Sequence, residues 1–175
     1  MATANPGLTV ALNAAAVDSI WDEAQSGHTT VGTYGGDALR RAIKTITFDG
    51  GAGTGAQGAV ALFTTTGTVH IVGAWGTCTT LLESAGGGTL ALGVTSNAAL
   101  FIAATTATEI DAGELWVDNS PDANGVALPA ALKDIIIADN DEIIGTVATG
   151  DITAGVIEIV VLWIPGSSGA SVVAA

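Results

Sequence analysis

Basic residues are what this chain has least of. Four lysines and arginines stand against seventeen aspartates and glutamates in 175 residues, a formal net charge of −13. The deficit is uneven: residues 1–44 hold four acids and three bases, net −1, while residues 45–175 hold thirteen acids and the single base Lys133, net −12. So acidic a body repels a phosphate backbone, which argues against a nucleic-acid partner. The cluster Arg40, Arg41 and Lys44 is too small to reverse that, and suits a helix C-terminus or an acidic partner surface instead. There is one cysteine, so no intrachain disulfide can form, and Cys78 reads as a small buried hydrophobe rather than a reactive thiol. Long hydrophobic runs are missing too. The longest candidate, Val156 to Ile164, contains Glu158 and stops at Pro165, far short of the roughly 18 apolar residues a membrane span needs. Met1 to Gly7 carries neither the positive region nor the apolar core of a secretory signal, so neither membrane nor export is expected.

Catalytic patterns are equally scarce. There is no Gly-x-Ser-x-Gly elbow, no base partner cued for Cys78, and no second metal ligand spaced from His28 or His70. Gly53-Thr-Gly-Ala-Gln-Gly58 has the G-x-G-x-x-G spacing, but a dinucleotide site needs a helix to start there, and Ala59 to Thr66 reads as a strand. Glu109 and Asp111 could pair as acid and base on a glycoside, yet aromatics are only 5% and supply no sugar platform. No enzyme and no cofactor are expected.

What the chain does have is apolar content: 49% hydrophobic, 12% charged, mean hydropathy +0.55. Disorder is excluded by that balance, and a free-standing soluble monomer would carry about a quarter charged residues. Thr and Ser surface, together with subunit interfaces that hide apolar area, account for the difference.

Two kinds of segment follow one another. Asn13 stands as an N-cap before Ala14–Ala24, where Val17, Ile20, Trp21 and Ala24 fall on one helical face and Asp18, Asp22 and Glu23 on the other. A helix of about eleven residues is marginal alone, so its stripe must dock on something. Asp37 to Ile43 reads as a second short helix, with Asp37 at its start and Arg40/Arg41 at its end. Residues 1–43 thus form an N-terminal arm whose attachment residues are Val17, Ile20, Trp21, Arg40 and Arg41.

After Lys44 the period changes to alternation. Strands are expected near 44–48, 59–64, 67–75, 77–83, 89–95, 99–104, 114–118, 133–138, 143–149 and 156–164, with turns at Gly50-Gly51, Thr66-Gly67, Gly86–Gly88, Ser96-Asn97, Asp111–Gly113, Asn119–Gly125, Asp139–Asp141 and Gly150-Asp151. That pattern predicts an all-β fold, an antiparallel β-sandwich or jelly-roll-like barrel over 44–165, followed by a C-terminal tail, 166–175. The expected core runs through Ile46, Phe48, Val60, Leu62, Val69, Ile71, Leu90, Leu92, Leu100, Ile102, Leu115, Val117, Ile135, Ile137, Ile143, Ile157, Ile159, Val161 and Trp163. The acidic turns gather oxygen ligands of the kind Ca²⁺ takes, from Asp118, Asp122, Asn124, Asp139 and Asp141. Asp, Asn, Pro and Gly are also ordinary turn residues, and solvated turns are the favoured reading.

Ile20-Trp-Asp-Glu-Ala-Gln-Ser-Gly-His-Thr-Thr-Val-Gly-Thr-Tyr-Gly35 is similar to a segment that recurs in structural proteins of tailed bacteriophages. Thr95 to Pro129, centred on Ala103 to Asp118, resembles small phage virion proteins. The resemblance implies a virion component assembled in the host cytoplasm: a capsid decoration (cement) protein or a head-fibre module. It would be a homo-oligomer, most simply a trimer, joined to capsid or other virion proteins through the arm. A tail-fibre or receptor- or glycan-binding module using the acidic loops is the alternative. Low charge, an amphipathic arm and a Gly/Thr-rich β body suit a unit of symmetric assembly.

Overall fold

The computed structural model describes residues 38–125, 127–128 and 135–175. Ten strands and one 3₁₀ turn make up these residues: β1 (Arg40–Thr47), β2 (Gly58–Thr66), β3 (Val69–Glu83), β4 (Thr89–Val94), β5 (Asn97–Thr106), the turn Ala107–Glu109, β6 (Leu115–Trp116), β7 (Ile135–Ile137), β8 (Ile143–Ala148), β9 (Ala154–Pro165) and β10 (Ser171–Ala174). They pair, always antiparallel, into two five-stranded sheets. The first has the order β1-β9-β3-β6, with β7 also on β3; the second has the order β10-β2-β8-β4-β5. The all-β expectation holds, and the arrangement is sandwich-like.

One apolar core joins the two sheets. Ile46, Ile71, Ala74, Ile157, Ile159, Val161 and Trp163 come from the first, and Val60, Leu62, Phe63, Leu90, Leu92, Ile102, Ile143 and Val147 from the second. Alternation puts most of these residues on one face of their strands, and register shifts at Ala61/Phe63 and Ile71/Gly73 bring in Phe63 beside Leu62 and Ala74 after Ile71. Most of the expected core is there, but Leu100, Leu115 and Ile135 are only partly buried. At β6 the parity is the reverse of the expected one. Trp116, 1% exposed, points into the core, and its indole N–H donates to Thr105 Oγ1 at 2.9 Å. Gly76 opposite makes room for the ring: a Cβ there would lie 3.0 Å from Trp116 Cε3 and 2.7 Å from Ile157 Cδ1.

Four expectations need correction or placement. The second short helix, 37–43, is not a helix in its described part: Arg40–Ile43 belongs to β1, in register with Trp163 to Val160 of β9. Pairing on a sheet outweighs a charge order that merely suits a helix dipole. The segments 67–75 and 77–83 are one strand, β3, because Gly76 is a packing residue and not a turn. Within the expected tail, Ser171–Ala174 forms β10 on the edge of the second sheet. The helix over 14–24, with Val17, Ile20 and Trp21, lies outside the described residues, as does Lys133.

The loop Asp49–Gly58 follows β1. Asp49 accepts hydrogen bonds from the Thr54 hydroxyl and the Gly51 amide, and the Thr54 hydroxyl, then that amide, hold its carboxyl below the usual carboxylate range. This contribution is present above the ordinary carboxylate pKa and is lost as pH falls through the lowered value. Gly55 closes the loop with φ +139, and a Cβ on it would sit 2.1 Å from the Ile152 carbonyl oxygen. Gly55→Ala is therefore expected to destabilise by at least about 1–3 kcal/mol, read as a lower urea midpoint, whereas Gly53→Ala, whose Cβ meets nothing within 4 Å, pays only for its φ.

Candidate functional site: the outer face of the β1–β9–β3 sheet

A strand that faces water on one side alternates apolar with polar residues; a strand covered on both sides does not. β9 does not alternate over most of its length. Ile157, Ile159, Val161 and Trp163 face the sandwich core, and Val156, Val160, Leu162 and Ile164 occupy the opposite parity, broken only by Glu158. Register carries the outward set onto its neighbours in rows. Val160 lies between Ile43 of β1 and Trp75 of β3, and Leu162 between Arg41 and Gly73. Ile164 lies beside His70, which in turn pairs with Ile136 of β7. One row further, Thr45, Glu158, Thr77 and Leu115 make a mostly polar border.

Part of the packing on this face stands apart from the sandwich core, although Leu128 packs against that core as well. Val160 and Val117 are 5% and 2% exposed, yet neither belongs to the cluster that joins the two sheets. Leu128 lies over Gly73, where a Cβ would come within 2.9 Å of its Cδ1. Trp75, Leu115, Val117 and Leu128 line a shallow apolar dent of about 150 Å³. Ile43 and Ile136 remain exposed, at 38% and 70%. This apolar outer face is the candidate interaction surface among the described residues. The outward positions of the second sheet are mostly small (Ala59, Ala61, Ala91, Gly93, Thr146), but Ile144 stands among them and Val173 of β10 is 55% exposed at its edge.

β1 forms the edge of the apolar face and carries every described basic residue. Arg40, on the inward parity, places its guanidinium 5.2 Å from the centre of the Trp163 ring, a cation–π contact. Arg41 is exposed on the outward parity. The Lys44 ammonium donates to the carbonyl oxygen of Ala175, tying β1 to the end of β10. Of the expected attachment residues, these two arginines alone fall among the described residues, and they flank the same edge strand.

The acidic turn residues are engaged locally. Asp118 Oδ1 accepts the Ser120 amide at 2.8 Å, and Asp122 exchanges backbone hydrogen bonds with Leu115. Asp139 Oδ1 accepts the Gly67 amide at 2.7 Å, while Asp141 accepts the Ser96 amide at 3.1 Å and the Ser96 hydroxyl at 2.6 Å. Asn124 is exposed. These are turn-closing contacts, and among the described residues no three His, Cys, Asp or Glu side chains come together as a metal group would. Glu109 is exposed on the 3₁₀ turn, and the Asp111 amide donates to Glu114 Oε2. The Cys78 thiol is buried and donates towards the carbonyls of Thr80 and Ile110; burial pushes its pKa up, which keeps it a thiol. A surface depression of about 440 Å³ is lined by Leu81, Glu83, Ser84, Thr108, Asp111 and Thr153 among others.

Crowded carboxylates with local partners imply a specific salt response. Monovalent salt is expected to raise the melting temperature by screening, and millimolar Ca²⁺ to add no more than its ionic strength explains. A Ca²⁺-specific rise in melting temperature that disappears in Asp141→Ala would contradict this.

Sequence reasoning missed the outer face, although its signal was present: Val156 to Ile164 is apolar on both parities. No protein-family model, no curated protein and no solved structure matches this chain.

Proposed function

We propose that this protein is a non-enzymatic structural subunit of a tailed-phage particle, of the capsid-decoration or head-fibre type, that works by burying surface against neighbouring subunits. The observation that carries the reading is the apolar outer face of the first sheet, built from Ile43, Trp75, Val160 and Leu162 over a sheet whose other face already fills a core. The likeness of residues 20–35 and 95–129 to phage virion segments supplies the setting. The β body forms a homo-oligomer, most simply a trimer, and the arm ties it to capsid proteins or to neighbouring copies.

Sedimentation of the purified protein is expected to give a multiple of 17.1 kDa. Trp21→Ala is expected to leave the circular dichroism of the β body unchanged while lowering incorporation into particles; unfolding of that variant would place Trp21 in the β core instead. Imaging of labelled copies decides the position. Even coverage at capsid symmetry points supports decoration, a few copies at the tail would support a receptor-binding fibre, and absence from particles would end the virion reading.

A further inference from the structure

We infer that the outer face of the β1–β9–β3 sheet pairs with the same face of a second copy across a two-fold axis, its register set by Arg41 of each copy on Glu158 of the other. This deepens the proposed function by naming what covers the assembly surface, and it rests on that reading only for the face being one that assembles.

Charge identifies the occupant. Outward positions on β1 and β9 hold one cation and one anion, Arg41 and Glu158; the rest, up to Thr47 and from Val156 to Ile164, are Val, Ile, Leu or Thr. Arg40 and Lys44 lie on the inward parity and are engaged there, on the Trp163 ring and the Ala175 carbonyl, so neither takes part. Arg41 is exposed and Glu158 half-buried, and among the described residues neither has an ion-pair partner. A carboxylate in an apolar face is costly to cover unless the cover brings a cation. Cations are scarce in a chain of net charge −13, but a second copy of this face brings one.

Register fixes how the copies meet. Arg41 stands beside Leu162, Ile43 beside Val160, and Thr45 beside Glu158. The cation and the anion therefore occupy rows about 7 Å to either side of the Val160 row. A two-fold axis between the stacked faces, crossing the strands at Val160, exchanges those two rows. It brings Arg41 within one strand spacing, about 5 Å sideways, of the partner's Glu158, and does so twice. An axis running along the strands would instead put both Glu158 carboxylates in one row and both arginines over leucine. The self-complementary arrangement is the isologous one. Val160 is already packed and forms the floor of the contact, while Ile43 at 38% exposed and the half-buried Leu162 and Ile164 are what the second copy covers. Larger oligomers are then built from such pairs, and a ring of three would need another surface.

Charge exchange in the full-length protein tests the pairing, read by sedimentation. The unaltered protein is expected to run as two copies of 17.1 kDa or an even multiple of that mass. Arg41→Glu and Glu158→Arg are each expected to weaken self-association at least about a hundred-fold, because two like-charge contacts replace two ion pairs. An equimolar mixture of the two variants is expected to restore the pair, since every charge then meets its opposite across the axis. Alternating copies can close a pair but not a ring of three, so the mixture also reads the symmetry. If Glu158→Arg loses its circular dichroism, Glu158→Gln takes its place, and the effect of Arg41→Glu is expected to shrink at least about ten-fold in that background. An unaltered protein of one or three copies would overturn the inference, as would single variants that associate undiminished. So would folded variants whose mixture stays unpaired, or an Arg41→Glu effect that Glu158→Gln leaves unchanged. None of these readouts involves particles, so failure of the pairing and failure of the virion reading are separable.

Discussion

Trp116→Ala is expected to be the most damaging single substitution in the β body, costing about 3–5 kcal/mol of a stability that for a domain is typically about 5–15 kcal/mol. The indole is 1% exposed and lies over Gly76 beside Ile157, so deletion opens a cavity between rigid neighbours that cannot collapse into it. A hydrogen bond goes too, since Nε1 donates to Thr105 Oγ1. Thr105 itself keeps a partner, because its hydroxyl donates to the Ala103 carbonyl at 3.1 Å. Most of the loss is therefore cavity, and Trp116→Phe should recover the larger part. Urea midpoints at unchanged slope measure both. If Trp116→Ala cost no more than Leu115→Ala, the inward parity assigned to Trp116 would be wrong.

Leu162→Asp is expected to separate assembly from folding. The side chain is half-buried on the outer face, and its parity is opposite to the core residues Val161 and Trp163. A carboxylate there stays hydrated in the isolated body, so circular dichroism and a cooperative melt should persist. In the assembled form it would be stripped of water without a partner, at a cost of at least about 3 kcal/mol, which is more than about a hundred-fold in dissociation constant. Sedimentation should then move towards 17.1 kDa. The control, Ile159→Asp, faces the sandwich core at 1% exposed and should unfold the protein outright. An assembly that ignored Leu162→Asp would have to be built from another surface.

Strands were legible where alternation was clean, as in β2 and β4, because the period of two is imposed by the pleat itself, while β9 was legible as a short apolar run that stops at Pro165. Parity was less secure. In Glu114-Leu-Trp-Val-Asp118 every central residue is apolar, and a shift of one position reverses which side chain enters the core. Local charge order misled at Arg40 and Arg41, where the deciding partner, β9, lies far along the chain. β10 was hidden because Val172 and Val173 give too short a run to distinguish a strand from a tail. The outer face needed knowledge of neighbours: an apolar residue of either parity on β9 looks the same until β1 and β3 are placed beside it.

The register of β1 also dictates when this protein can fold. Ile46 meets Ile157, and β9 and β10 come last in chain order among the described strands. Until β9 is made, β1 and β3 lack the strand that joins them, and their apolar residues stay uncovered. Contacts separated by on the order of a hundred residues place such a topology among the slow folders, in the range of roughly milliseconds to seconds. Loss of β9 would therefore prevent the fold rather than trim it, and newly made chains are briefly a substrate for chaperones.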